Sequence, residues 1–377
     1  MSRRELALYV HIPFCRSKCA YCDFASYPGR EDVWEPYVDA LLAELRDWKE
    51  RLTEYEAATV FLGGGTPSLL PAGTIERILD GARCCVKFSP GAEITMEANP
   101  GTLSREKMRS CREAGINRLS FGAQSMNDAL LKELGRIHTA LEVRRAVEDA
   151  RAAGFDNLSL DLMYALPGQT MDDWLRTLEK TVALCPEHLS AYSLIVEEGT
   201  PLCARVSRGE VKVPDDDMAV DMQRAAIDLL ASAGYERYEI SNFAKKGRAC
   251  RHNMVYWRRG DYLGVGCAAH SLMEEERFEN PRSLDEYLSG ARRQNAVRLS
   301  REDRMEETLM LSTRTCQGMD LSAYRTAFGV DFCIAHAGKL EKLEKLGLVK
   351  VEKGFLRLTR TGMEVQNAVV VELLDDE

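Results

Sequence analysis

Cys15, Cys19 and Cys22 stand in the spacing C-x3-C-x2-C, inside the stretch HIPFCRSKCAYCDF. Three thiolates this close in sequence can converge on one side of a short loop. A cubane [4Fe-4S] cluster has four irons, so three protein ligands leave one iron open. An open iron can take a small molecule through its amino and carboxylate groups. Thiolate-held iron-sulfur clusters suit closely spaced cysteines in a reducing compartment. Zinc is the rival metal, but a structural zinc site wants four protein ligands, commonly with a second pair further on. No second pair follows, and His11, the nearest extra donor, precedes Pro13 at what reads as a strand end.

Other chemistry-bearing residues recur at the ends of apolar runs. Gly63-Gly64-Gly65-Thr66-Pro67 ends one run, Glu97 the next and Gln124 the one after, while Asp161 lies inside a fourth. Glycines let backbone groups approach a ligand closely, and their carbonyls accept hydrogen bonds from an ammonium. Thr-Pro-Ser after the glycines also reads as a helix start. No Lys-Ser/Thr pair follows, which excludes a phosphate-binding loop of the GKT type.

The elements that would position these groups alternate. Apolar runs at 6–12, 58–65, 93–100, 117–124, 157–166 and 188–197 read as strands. Between them Trp34–Leu52, Gly73–Cys85, Arg105–Ala114, Ala140–Ala153 and Met171–Cys185 carry apolar residues at helical spacing. Strand-helix alternation implies a parallel sheet with right-handed crossovers. Six such units suit an incomplete (βα)6 barrel rather than a closed eightfold one. Ligands of such folds bind where the strands' carboxyl ends gather. That is where Cys15, the glycines, Glu97 and Gln124 fall.

After residue 200 the pattern changes. VPDDDMAVDMQRAAIDLLASAGY reads as a loop and an Asp-capped helix. Residues 201–300 are read as an α+β extension that includes HNMVYW at 252–257. Residues 301–377 read as short helices, a hairpin (LGLVKVEKGFLRLTRTG) and a last helix at Met363–Leu374, a winged-helix-like pattern. GVGCAA before His270 gives only a weak dinucleotide fingerprint and is read as a strand-turn near the ligand face. His11, His138, His188 and His336 receive structural readings, His11 being the one nearest the ligand face.

Bulk properties narrow the classes. The 377 residues carry a formal net charge of -9, which disfavours nucleic acid as a partner despite the winged-helix pattern. No apolar run is long enough to span a bilayer, and the start lacks a signal-peptide pattern, which points to the cytoplasm. Most of the twelve cysteines are scattered and read as free core thiols.

The cysteine motif resembles that of the radical S-adenosylmethionine (SAM) family. Over most of the chain the pattern is similar to the branch holding oxygen-independent coproporphyrinogen III dehydrogenase and the HemW-type haem chaperones. That resemblance implies Cys15, Cys19 and Cys22 as cluster ligands. It implies Tyr9 and Tyr21 as SAM contacts and Gly64-Gly65-Thr66 as the segment binding its amino group. Glu97 would face SAM's positive groups, with Gln124 and Asp161 at ribose or methionine. Arg136 would pair with the methionine carboxylate, which suits a planar fork of donors.

Two departures separate the branch members. The dehydrogenases carry a fourth cysteine two residues after the third, where this chain reads Cys22-Asp23-Phe24. They also carry an extension before the motif, where fourteen residues precede Cys15 here. HNMVYW in turn matches the HNxxYW motif of the haem chaperones. The resemblance implies haem, with His252 as an iron ligand, Tyr256 and Trp257 as flat surface, and Arg251, Arg258 and Arg259 at the propionates. Cys250 is an alternative soft ligand. The partners so implied are haem and acceptor haem proteins, including membrane-bound ones, and a homodimer is a further expectation. The competing readings are a tetrapyrrole-modifying radical SAM enzyme, a binding module with a purely structural cluster, and, most distant, a zinc protein.

Overall fold

The computed structural model describes residues 3–375. Six strands form its centre: β1 (Arg4–Ile12), β2 (Tyr55–Gly64), β3 (Lys87–Ala98), β4 (Arg118–Gln124), β5 (Leu158–Tyr164) and β6 (His188–Ser193). They pair in sequence order and all run parallel. Helices Trp34–Leu52, Ala72–Cys85, Arg105–Ala114, Ala140–Ala152 and Met171–Val182 make the crossovers, close to the expected spans. Two of them start at capping boxes, Thr139 with Glu142 and Thr170 with Asp173, which satisfy otherwise orphaned helix N–H groups. β1 and β6 are not paired to each other, so the barrel is open as expected.

A period of two explains how these strands serve both a core and a site. Leu8 and Val10, Val60 and Leu62, Ile94 and Met96, Leu158 and Leu160 are buried on the face that packs the helices. The residues between them point the other way, because strand side chains alternate. That inner face carries Thr59 and Phe61, Glu93 and Glu97, Arg118 and Ser120, Ser159 and Asp161, His188 and Ser190. The barrel interior is therefore polar, while the helix-facing side is a hydrocarbon layer.

The chain after residue 200 extends this sheet rather than starting a new layer. β7 (Asn242–Ala244) runs antiparallel beside β6, and β8 (Tyr262–Val265) runs parallel beside β1. Met222, Phe243, Val265 and Tyr287 share one hydrophobic core with the barrel strands. The expected break at residue 200 is a change of topology within a common core. The region beyond 300 has its own core around Leu309, Tyr324, Leu343, Leu356 and Leu373. There helices Arg301–Ser312, Leu321–Phe328 and Ala337–Lys345 pack on the hairpin Val349–Glu352 and Phe355–Leu358, with Met319–Asp320 as a third strand. The last helix is interrupted at Val365, whose φ of -122° is not helical, and resumes at Gln366–Leu374.

One buried carboxylate ties the extension to the first crossover helix. Glu44 accepts from the Gly266 amide at 2.9 Å, the Tyr287 hydroxyl at 2.6 Å and the Asn280 amide at 2.6 Å. Burial pushes its pKa up, while these donors and Arg292 oppose the rise. Removing the acceptor strands three buried donors. Glu44→Ala is expected to destabilise the protein by about 3 kcal/mol, read as a lower denaturant midpoint. An unchanged midpoint would show that the cluster contributes nothing.

Candidate functional site

The carboxyl ends of β1 to β5 surround a cavity of about 440 Å³ that runs down into the barrel. Its rim is the cysteine loop. Ala20 pins that loop from both sides, donating to the Leu134 carbonyl at 3.1 Å and accepting from the Leu202 amide at 2.9 Å. Cys15, Cys19 and Cys22 all face the cavity. Burial pushes the Cys15 thiol up, against hydrogen bonds from Thr66 and Ser26. Burial also raises Cys22, and the neighbouring Cys19 and Cys15 sulfurs add to the rise. Among the described residues no three His, Cys, Asp or Glu side chains converge as ligands of a single ion. Three thiols on one loop facing one cavity suit a cubane, in which each sulfur takes its own iron. The donor set fits a cluster.

Behind the rim, a hydrogen-bond chain joins two of the cysteines. The Thr66 hydroxyl contacts Cys15 Sγ at 3.6 Å and accepts from Asn99 Nδ2 at 2.9 Å. Asn99 Oδ1 accepts from Arg136 Nη2, and Arg136 Nη1 lies 3.5 Å from Cys19 Sγ. Arg136 also donates to the Gly122 carbonyl at 2.7 Å, while its Nε is buried with no partner. Gly64 has φ of +105°, and a Cβ there would meet the His11 ring at 2.4 Å. Only glycine fits at this close approach. The Gly64 amide donates to Glu97 Oε2 at 3.1 Å.

The carboxylates lie deeper. Glu97 is pushed up to about 7, first by burial and then by the charge of Asp161, against the Gly64 amide and Arg118. Asp161 accepts from the Ser190, Ser120 and Ser159 hydroxyls at 2.7, 3.0 and 3.3 Å. Burial raises it as well. Such a pocket stabilises an incoming cation beside Glu97 and leaves a free guanidinium N–H for an anion at Arg136. Gln124, at φ of +60°, closes the end of β4 beside Gly122.

The structure therefore brings Cys15, Cys19, Cys22, Tyr21, Gly64, Gly65, Thr66, Glu97, Gln124, Arg136 and Asp161 to one cavity. Tyr9 and His252 are not in its wall. The Tyr9 ring stacks on Phe61, and its hydroxyl pairs with His11 Nδ1 at 3.0 Å. Phe61, not Tyr9, lines the cavity. His11 spends its other nitrogen on the Ala25 carbonyl. His270 lies exposed beside Glu279 and is not in the wall, while the strand-turn before it does reach the ligand face, since Val265 pairs with Val10 and Gly266 packs against His11.

HNMVYW forms a helix, α1 of the site (Arg251–Trp257). Helical geometry sends its residues three ways. Cys250 and Asn253, three apart, face the cavity. His252 and Tyr256, four apart, turn into the barrel wall. Met254, Trp257 and Arg258 turn away toward the C-terminal region. His252 is 1% exposed, with Nδ1 bonded to the Thr59 hydroxyl at 2.8 Å and Nε2 to the Tyr256 hydroxyl at 2.9 Å. Burial drives its pKa down to about 3, so the ring is neutral. This corrects the expectation of an imidazole offered to iron, since both nitrogens are engaged and the ring is sealed. Arg259 is likewise held by Glu275 and Glu307, and Arg251 by the Gly91 carbonyl.

Asn99, Arg118, Ser120 and Ser190 are site residues that motif reading passed over. The available signal was period-two alternation, which places Arg118, Ser120 and Ser190 on the face that Asp161 shares on the neighbouring strand and Asn99 two residues beyond Glu97. Arg118 is 2% exposed, lines the cavity, and its Nε has no partner.

A six-stranded parallel barrel with three loop cysteines over a polar interior is radical SAM architecture. Residues 9–181 match the Radical SAM superfamily, and residues 299–365 match the HemN C-terminal domain. Coproporphyrinogen III oxidase (HemN) from Escherichia coli superposes with a TM-score of 0.86 at 25% identity, over 98% of this chain and 90% of its own. Heme chaperone HemW of Lactococcus lactis is 35% identical across 100% of this chain and 99% of its own length. Heme chaperone HemW of Escherichia coli is 43% identical over 70% of this chain and 69% of its own. The chain belongs to the HemW family of the radical SAM superfamily.

The His252 geometry carries its own test. His252→Ala leaves the buried Thr59 hydroxyl unpaired and opens a void, so stability should fall by about 3 kcal/mol in urea unfolding of the cofactor-free protein. A surface ligand would lose almost nothing.

Proposed function

We infer that the chain binds haem and delivers it to acceptor haem proteins, and that its barrel holds a [4Fe-4S] cluster and SAM. The observation that supports the barrel assignment is the arrangement of three separate thiols over a cavity with Glu97 and Arg136 on its walls. Cys15, Cys19 and Cys22 hold the cluster. Gly64, Gly65 and Thr66 bind the SAM amino group, with Glu97 facing its positive charges. Arg136 holds the carboxylate, with Gln124, Asp161 and Tyr21 around the rest. The cluster supplies one-electron reduction of the sulfonium when both are bound. The protein's part is to orient, to exclude water and to hold the unpaired charges. Haem cargo is favoured over decarboxylation of coproporphyrinogen because Asp23-Phe24 stands where the dehydrogenases have their fourth cysteine, and because relatives named haem chaperones align over the whole length.

Haem titrated into anaerobically reconstituted protein should give a saturable Soret band with a single haem per chain and no decarboxylation of coproporphyrinogen III. Absence of haem binding, or turnover of coproporphyrinogen III, would overturn the chaperone reading.

SAM affinity should depend on pH with a determinate sign. Glu97 is neutral below about 7 and anionic above it. A cationic ligand favours the anion, so affinity rises with pH by up to about tenfold per unit below pH 7. The range is about pH 5.5 to 7.5, below the α-ammonium's own pKa of about 7.8. Equilibrium dialysis should show this slope in wild type and a flat profile in Glu97→Gln. A wild-type profile without slope would remove Glu97 from SAM recognition.

A further inference from the structure

On the far side of the HNMVYW helix lies a second cavity, of about 410 Å³, between that helix and the C-terminal region. Its walls come from four elements. Met254, Trp257 and Arg258 project from the helix, and Arg304, Thr308 and Ser312, one stripe at four-residue spacing, from Arg301–Ser312. Tyr324 and Phe328 project from Leu321–Phe328, and Phe355 from the hairpin. The walls combine aromatic and thioether groups with the hydroxyls of Thr308, Ser312 and Thr315, and the edge carries Arg258, Arg259 and Arg304 beside Glu275 and Asp320.

The charges at that edge are unequally engaged. Glu275 is matched by Arg259 and, at 3.9 Å, by Arg304. Asp320, also in the wall, caps the helix Leu321–Phe328 through the Ser322 and Ala323 amides. Arg258 is exposed and makes no side-chain hydrogen bond or ion pair among the described residues. The Trp257 Nε1–H is buried without an acceptor, while Arg314 covers its ring at 4.6 Å. An unpaired guanidinium beside flat apolar surface is complementary to a planar, apolar ligand with carboxylates at one edge.

The geometry points to this cleft, rather than His252, as the haem site. This rests on the haem-chaperone reading above. The macrocycle lies between the Met254–Trp257 surface and the Ala327–Phe328 surface, and a propionate meets Arg258. No histidine is in the wall, Met319 is buried in the C-terminal core, and Met254 offers only a thioether. Recognition then comes from shape and propionates more than from iron, which suits cargo that must leave again.

The test is titration of haem, protoporphyrin IX and haem dimethyl ester into reconstituted full-length protein. Variants are Arg258→Glu, Ala327→Trp and, outside the cleft, Arg46→Glu on the exposed face of the first crossover helix. Ala327 is exposed at the cleft mouth, so the larger side chain obstructs entry without disturbing a core. Iron and sulfide content checks that the barrel is intact. The inference expects protoporphyrin IX to bind within a few-fold of haem and the ester to bind about tenfold or more weakly. Arg258→Glu should lose about tenfold or more, Ala327→Trp should abolish binding, and Arg46→Glu should match wild type. If wild type binds haem and both cleft variants bind equally well, the cleft is not the site, and the chaperone reading survives. If wild type binds no haem, both fail together.

Discussion

The barrel depends on one register pair. Thr59 of β2 and Glu93 of β3 are direct neighbours across the sheet, so both side chains enter the interior at the same height. Each holds His252 in a different way. Thr59 takes the imidazole Nδ1, and Glu93 takes the His252 and Arg251 amides at 3.1 and 3.2 Å. Glu93 thereby satisfies N–H groups that a helix start leaves orphaned. Both residues sit five positions before the ends of their strands, about 17 Å below the cysteine rim. An open six-stranded barrel with a polar lining would otherwise let solvent through. The clamped helix closes it from below.

That closure sets the electrostatics above it. With the interior sealed, Glu97 and Asp161 are desolvated together, and the charge of Asp161 raises Glu97 further. Arg118 enters between these carboxylates and Glu93, its charge favoured by them and by Cys250 although burial opposes it. The cavity thus balances carboxylates against two buried guanidiniums, Arg118 and Arg136. A ligand bearing both charges can replace the solvent each group has lost.

The sequence made the barrel legible because strand-helix alternation is a long-range repetition of short signals. Six runs and five helices fell close to their observed places, and the motif residues came to one cavity. Tyr9 and His252 show where single residues mislead. Tyr9 shares the inner face with Phe61, its register partner, but the cavity wall is formed by Phe61. His252 is chemically apt as a ligand, and nothing local betrays that Thr59, 193 positions away, holds its nitrogen. Tertiary hydrogen bonds of that kind have no sequence signature. Asn99, Ser120 and Ser190 were within reach, since period-two alternation places Ser120 and Ser190 on the face shared with Asp161. Strand β8 at the β1 edge was not, because a four-residue strand joined across the whole barrel carries too little pattern.

The HNMVYW helix is best understood by what its three faces touch. One face is fixed by His252 and Tyr256 in the aromatic stack with Phe61, at ring distances of 5.0 and 5.1 Å. A second brings Cys250 and Asn253 to the cavity under the cysteine loop, and the third brings Met254, Trp257 and Arg258 to the cleft against the C-terminal region. Seven residues therefore form the wall between two cavities. Such a wall needs a rigid anchor, because a helix this short has little stability of its own. The buried histidine supplies the anchor, which gives the motif a physical reason for an imidazole that touches neither cavity.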